Sequence, residues 1–157
     1  MAEMNEAINT DRIEKQVVLR APQSRVWQAI TNVGEFGEWF GVKMQGVFTP
    51  GATISGNITY PGYEHLTMEM VIEKIVPERL FTFRWHPYAI DPEKDYSAEP
   101  LTLVEFILEP VEGGTQLTII ESGFDQIPED RRAEAFRMNE GGWAEQLKNI
   151  EKYVGPI

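Results

Sequence analysis

Apolar positions along this chain switch between a period of two and a helical period, and the order of the switches lays out a fold. Ile13, Val17 and Leu19 stand at even spacing within Arg12 to Ala21, the signature of a strand. Ala21-Pro22-Gln23-Ser24 then predicts a turn in which Ser24 caps a helix, and Val26, Trp27 and Ile30 share one helical face up to Asn32-Val33-Gly34. Glu35 to Phe40 predicts a second helical turn whose Phe36, Trp39 and Phe40 must bury, most simply against the open end of a sheet. From Val47 the period returns to two, with Ile54, Gly56, Ile58 and Tyr60 alternating with Thr53, Ser55, Asn57 and Thr59 until Pro61-Gly62 stops the strand.

A hairpin follows, with Met68, Met70 and Ile72 on one face of its first strand and Phe81, Phe83 and Trp85 on one face of its second, joined at Pro77-Glu78. His86 to Pro100 is rich in proline and acidic residues and has no apolar period, so it predicts a long loop, and loops beyond about 12 residues often act as lids. Leu101 to Pro110 and Thr115 to Gly123 form a second hairpin through Val111-Glu112-Gly113-Gly114, with Val104, Phe106 and Leu108 facing one way and Leu117 and Ile119 beside them. Pro128-Glu129-Asp130 suits a helix start, after which Phe136, Trp143, Leu147, Ile150 and Val154 recur on one narrow stripe at about 100° per residue. A helix of roughly 25 residues spans about 38 Å, long enough to cross a whole sheet. The expected architecture is α+β, a curved antiparallel meander wrapped around that helix.

Composition narrows the function classes. The 157 residues, 42% hydrophobic and 25% charged, are ordinary globular composition. No cysteine is present, which excludes disulfides, thiol nucleophiles and thiolate metal sites. A formal net charge of -11 with no basic cluster argues against nucleic acid and anionic membranes as partners. Met1 to Asp11 is polar and acidic, unlike a secretory signal, and no run of about 18 apolar residues occurs, so a cytoplasmic protein without membrane insertion is expected. His65 and His86 are the two histidines, and neither has metal-ligand spacing; no nucleophile elbow, phosphate loop or dinucleotide fingerprint appears. No metal and no cofactor are expected.

Taking the bulkier face of each strand as inward places Ile58, Tyr60, Met68, Met70, Phe83, Trp85, Phe106 and Ile119 opposite the helix, with Trp39 and Phe40 near one end. Such residues build either a solid core or a pocket, and methionine suits an adaptable pocket. Gly141-Gly142 lies mid-helix, where each glycine costs about 1 kcal/mol against alanine, so close sheet approach, a kink or a cavity beside Gly142 and Trp143 is expected to account for it. Glu121 shares the parity of Leu117 and Ile119, which aims its carboxylate at the concave face unless a bulge shifts the register. Asn139 and Glu140 fall within about 60° of the apolar stripe. They are expected at the cavity mouth in water, with a role as convergent polar groups of a ligand site as the alternative. Arg84, His86 and Glu105 alternate with inward residues and are expected on the convex, solvated face.

Local text sharpens the picture: Ala21-Pro22 with Val26-Trp27, Trp39, Ile75-Val76-Pro77-Glu78-Arg79-Leu80 with Phe83-Arg84-Trp85, and Thr102-Leu103-Val104-Glu105-Phe106. Gly113-Gly114-Thr115 leading to Glu121-Ser122-Gly123-Phe124, and Gly142-Trp143 with Leu147, complete the set. From Ile13 to Tyr153 the chain resembles the START-like, or SRPBCC, superfamily, in the small bacterial type of the branch named for the activator of heat-shock-protein ATPase. The resemblance implies the helix-grip (START-like, Bet v-like) fold; the polar opening and the chain length lead to the expectation of a disordered or poorly ordered tail over residues 1–11 and a single domain over 12–157. Members of the superfamily bind lipids, hormones or polyketides, and some cyclise or dehydrate polyketides. The expected function is binding of a small hydrophobic or aromatic, lipid- or polyketide-like ligand between sheet and helix. A cyclase-like or hydrolytic enzyme using Glu121, Asn139 or Glu140, and a co-chaperone module stimulating a heat-shock ATPase in stress response, are the alternatives. The expected assembly is a monomer or homodimer.

Overall fold

The chain begins and ends its sheet at the same edge. In the computed structural model, which describes residues 10–91 and 93–155, β1 (Arg12–Leu19) pairs with the last strand, while α1 (Gln23–Thr31) and α2 (Val33–Phe40) carry the chain across to the far edge at β2 (Val42–Met44). From there β3 (Thr53–Ile58), β4 (Thr67–Val76), β5 (Leu80–Trp85), β6 (Thr102–Val111) and β7 (Gly114–Ser122) return as a meander. The result is a seven-stranded antiparallel sheet in the order β1-β7-β6-β5-β4-β3-β2, curved and open, holding α3 (Glu129–Val154): the helix-grip arrangement. No helix among the described residues is long and apolar enough to cross a membrane.

The expected tail lies outside the described residues up to position 9. Asp11 is described and is tied down: its carbonyl accepts from the N–H groups of Gly123 at 3.1 Å and Phe124 at 3.2 Å, and its carboxylate from the Asp125 N–H at 3.0 Å.

Local chemistry explains the element ends, with two corrections to the expected ones. Ser24 does not cap α1; Pro22 occupies the cap position and no side chain bonds there. The capping side chain is Asn32, whose Oδ1 accepts from the Glu35 N–H at 3.0 Å, so the residue that ends α1 also starts α2. Gly41 at φ 94° then turns the chain into the three-residue β2, and the strand expected from Val47 begins only at Thr53. The β4–β5 pairing shifts register between Ile72 and Lys74, where the Thr82 hydroxyl accepts from the Lys74 N–H at 3.0 Å.

α3 buries the stripe read from the sequence, Trp143, Leu147, Ile150 and Val154, together with Ala135. Phe136 is half-buried, its ring 5.2 Å from that of Phe124. The centre of the concave face is solid with aromatics. Phe106 lies 5.8 Å from both Phe83 and Trp143, and Phe36 of α2 lies 4.8 Å from Phe40 and 6.4 Å from Phe106. Burying each such ring contributes about 1.5–3 kcal/mol, so this cluster anchors helix to sheet.

Candidate ligand-binding site

β7 pairs without interruption through Glu121 to both neighbours, Val104 on β6 and Ile13 on β1. No bulge intervenes, so the alternation that buries Leu117 and Ile119 drives the Glu121 side chain to the concave face, where it is 0% exposed. An acid in that position is costly unless its oxygens are bonded. Four side chains from three elements supply the bonds. Oε2 accepts from Trp85 Nε1 at 2.8 Å and from the Thr102 hydroxyl at 2.6 Å; Oε1 accepts from Trp143 Nε1 at 2.8 Å and from Asn139 Nδ2 at 2.9 Å. Every partner donates and the carboxylate accepts throughout. No ion pair involves it among the described residues. The two indoles it holds stack on each other, ring centres 5.7 Å apart and 29° from parallel.

These indoles form the boundary between solid core and open space. A pocket of about 90 Å³ lies against Phe40, Trp85, Asn139, Gly142, Trp143 and Gln146. A partly open cleft of about 350 Å³ shares Phe40, Trp85 and Asn139 with it and extends over Ile58 and Met68 beneath Tyr88, Ile90 and Tyr96. The loop after β5 is therefore a roof. Arg131, in the first turns of α3, holds it: Nε donates to Glu99 Oε1 at 2.8 Å, Nη1 donates to the Pro87 carbonyl at 2.9 Å, and the guanidinium lies 4.8 Å from the Tyr96 ring centre. Arg131 Nη2 sits 2.7 Å from the same Glu99 oxygen, close enough for an ion pair but not aligned as a hydrogen bond. Burial alone would raise the Glu99 carboxyl, but the Arg131 and Lys94 contacts outweigh it and hold Glu99 below its ordinary value. Burial pushes the Tyr88 hydroxyl above its ordinary value, keeping it a neutral phenol. Among the described residues no three His, Asp or Glu side chains gather as a metal site.

Residues 20–155 match the family described as Activator of Hsp90 ATPase homolog 1-like protein. The chain belongs to that family. Solved structures of the same fold include MLL2253 from Mesorhizobium loti, 20% identical, covering 91% of this chain and 96% of that one with a TM-score of 0.72. The Aha1 dimer from Colwellia psychrerythraea is 17% identical over 91% of this chain and 95% of that one, TM-score 0.69. DynU16, a protein in the dynemicin biosynthetic locus, is 21% identical over 92% of this chain and 47% of that one, TM-score 0.70. At these identities the likeness shows the fold. No curated protein matches the chain.

Within this family member, the residues singled out from the sequence divide into three groups. Phe40, Ile58, Met68, Trp85, Asn139, Gly142 and Trp143 line the cleft or the pocket. Met70, Phe83, Phe106 and Ile119 face inward as expected but are solid core, and Trp39 is buried with its Nε1 donating to the Ala29 carbonyl at 2.8 Å. Glu121 lies behind the indoles.

Two expected placements are corrected. Tyr60 is 50% exposed, because β3 ends at Ile58 and the tyrosine falls beyond the pleat, over Gly41. His86 lies beyond the end of β5 and turns into the cleft instead of the convex face. Arg84 does stay on the strand and pairs with Glu73. Glu140 is exposed, 3.7 Å from Lys15, while Asn139 one residue earlier is half-buried and bonded to Glu121. Neither Gly141 nor Gly142 meets anything: a Cβ built on either finds no atom within 4 Å, so close sheet approach does not explain them. The residues that sequence reasoning missed are the roof, Tyr88, Ile90 and Tyr96, and its anchor Arg131. Only the length of the loop and its tyrosines hinted at them.

Proposed function

We propose that this chain binds one small apolar or aromatic molecule in the cleft under the 86–100 loop, with the ligand's flat face against Trp85 and Phe40. The observation that carries the reading is the abrupt change in packing at Trp85 and Trp143. Sheet and helix meet through interlocked rings on one side of the indoles, and about 350 Å³ opens on the other. That volume is within the range of small-molecule sites, roughly 300–1,000 Å³, and its wall combines aromatic and methionine surface with a few polar groups. The location of the structural neighbour DynU16 in a biosynthetic locus is consistent with a ligand of small-molecule class.

The same geometry speaks against Glu121 as a proton-transfer group for a bound molecule. Its oxygens face four donors and it has no exposed surface, so a ligand in the cleft does not reach it without displacing an indole. Its role in this reading is to fix the wall. Native mass spectrometry of the purified protein with a panel of apolar aromatic compounds tests the function: a one-to-one adduct that also raises the melting temperature is expected. A panel that leaves mass and melting temperature unchanged overturns it.

A further inference from the structure

The polar groups on the cleft wall are sorted by chemistry, and the sorting restricts what the wall accepts. Glu121 is the origin. A carboxylate bonded on every side by donors offers Asn139 only acceptors, so it is the Asn139 NH2 that must face it, at 2.9 Å from Oε1 and 3.2 Å from Oε2. The amide is thereby held in one orientation. Its carbonyl, Oδ1, has no protein donor among the described residues, and Asn139 borders both the pocket and the cleft.

The other side-chain N–H groups of the wall are already committed to protein acceptors. Trp85 and Trp143 donate to Glu121, and Gln146 donates to the Phe40 carbonyl at 2.9 Å. His86 Nε2 lies 3.2 Å from the Glu99 carbonyl, which only accepts, so that nitrogen carries the hydrogen. What remains for the cleft is Asn139 Oδ1, the amide atom turned away from Glu121, with the hydroxyls of Thr67 and Tyr88, the Tyr96 hydroxyl, which already accepts from the Asp91 N–H at 3.1 Å, and the Glu69 carboxylate at the rim. No lysine or arginine belongs to the wall. Arg131 is bound to Glu99 and to the roof carbonyls behind it. An anionic ligand finds no lysine or arginine in this lining.

Building on the ligand-binding reading above, we propose that the ligand is a neutral, flat apolar molecule bearing a hydrogen-bond donor, a phenol, an alcohol or a ring N–H, which Asn139 Oδ1 accepts. Asn139 then discriminates donor-bearing molecules from their capped or anionic analogues, and Glu121 acts through it as a positioning residue.

The test compares three probes of one shape, 2-naphthol, 2-methoxynaphthalene and 2-naphthoate, by quenching of tryptophan fluorescence in the wild-type protein. The naphthol is expected to bind about tenfold more tightly than its methyl ether, because filling the cleft with the ether leaves the Asn139 carbonyl unpaired, and the naphthoate more weakly still. In Asn139→Ala, checked for folding by its melting curve, the ether keeps its affinity and the preference for naphthol collapses. Equal binding of naphthol and ether by the wild type, or tightest binding of the naphthoate, overturns the donor rule while leaving ligand binding intact. Binding of none of the three overturns both. The wild-type comparison stands by itself if Asn139→Ala fails to fold. A preference that persists in a folded Asn139→Ala assigns the discrimination to other groups and overturns the role of Asn139.

Discussion

The two ends of the concave face carry similar residues to opposite effect. At the centre, Phe36, Phe83, Phe106 and Trp143 interlock and exclude space; at the end marked by Phe40, Met68 and Trp85, the same kinds of side chain line a cleft. The difference is what stands opposite. The central rings face the C-terminal half of α3, which presents Trp143, Leu147 and Ile150. The cleft residues face Asn139, Gly142 and a roof made of loop. A helix that changes its inward residues from large and apolar to small and polar leaves room that a curved sheet cannot close. Aromatic content therefore does not distinguish a core from a pocket; the residue across the gap does.

The contrast is sharpest in stability. Phe106→Ala is expected to cost about 3–5 kcal/mol in urea denaturation, because rings on several sides leave a cavity that cannot collapse, whereas Met68→Ala at the cleft costs less than about 2 kcal/mol. Comparable losses at the two positions would erase the distinction between the ends. Glu121→Gln comes next. Each oxygen accepts from two donors, an indole among them, so the amide NH2 that replaces one oxygen faces two donors in a site with no exposed surface; a loss of about 1–3 kcal/mol is expected, accompanied by a shift in tryptophan emission as an indole is freed.

Acid comes third and acts at the periphery, not the centre. Glu99 under the roof is held below its ordinary carboxylate value: burial opposes this, but Arg131 and Lys94 outweigh it. Glu35 behaves likewise, its burial outweighed by Arg25 at 2.7 Å and by the Tyr153 hydroxyl at 3.1 Å. A carboxyl lowered in the folded state stabilises fully above its unfolded pKa, and that stabilisation disappears as pH falls through the lowered folded value. Denaturation midpoints followed downward from neutral pH should hold steady until the carboxylate range and fall beneath it. Arg131→Met should flatten part of that fall and loosen the roof, read as faster proteolysis within residues 86–100. Smallest is Gly142→Ala, expected to stabilise by up to about 1 kcal/mol, since the added methyl meets no atom within 4 Å and helix propensity improves. It also narrows the pocket mouth.

Much of the frame was legible in the sequence because period and parity are local properties. The stripe of α3 and the inward turn of Glu121 both follow from counting residues, and an uninterrupted β7 register preserved the count. The count failed where a strand ended sooner than its pattern. Tyr60 and His86 continue the alternation of β3 and β5 in sequence, but the ladders stop at Ile58 and Trp85. It was too coarse to separate Asn139 from Glu140, which one step of about 100° sends to opposite fates. The loop's length suggested a lid, but its anchor was beyond the count's reach, since Arg131 meets Pro87 and Glu99 through contacts that no local pattern encodes. That the cavity occupies one end only, with the middle filled, depended on which inward residues meet which, and this is a property of the assembled layers.

Filling the cleft without touching the centre decides where the ligand sits. Met68→Trp places an indole in the cleft beside Trp85, away from the Phe83, Phe106 and Trp143 cluster, and the variant is expected to melt close to the wild type. With an aromatic compound that raises the wild-type melting temperature, the increase is expected to vanish in Met68→Trp. An undiminished increase in the folded variant would place the ligand elsewhere and contradict the assignment of this cleft.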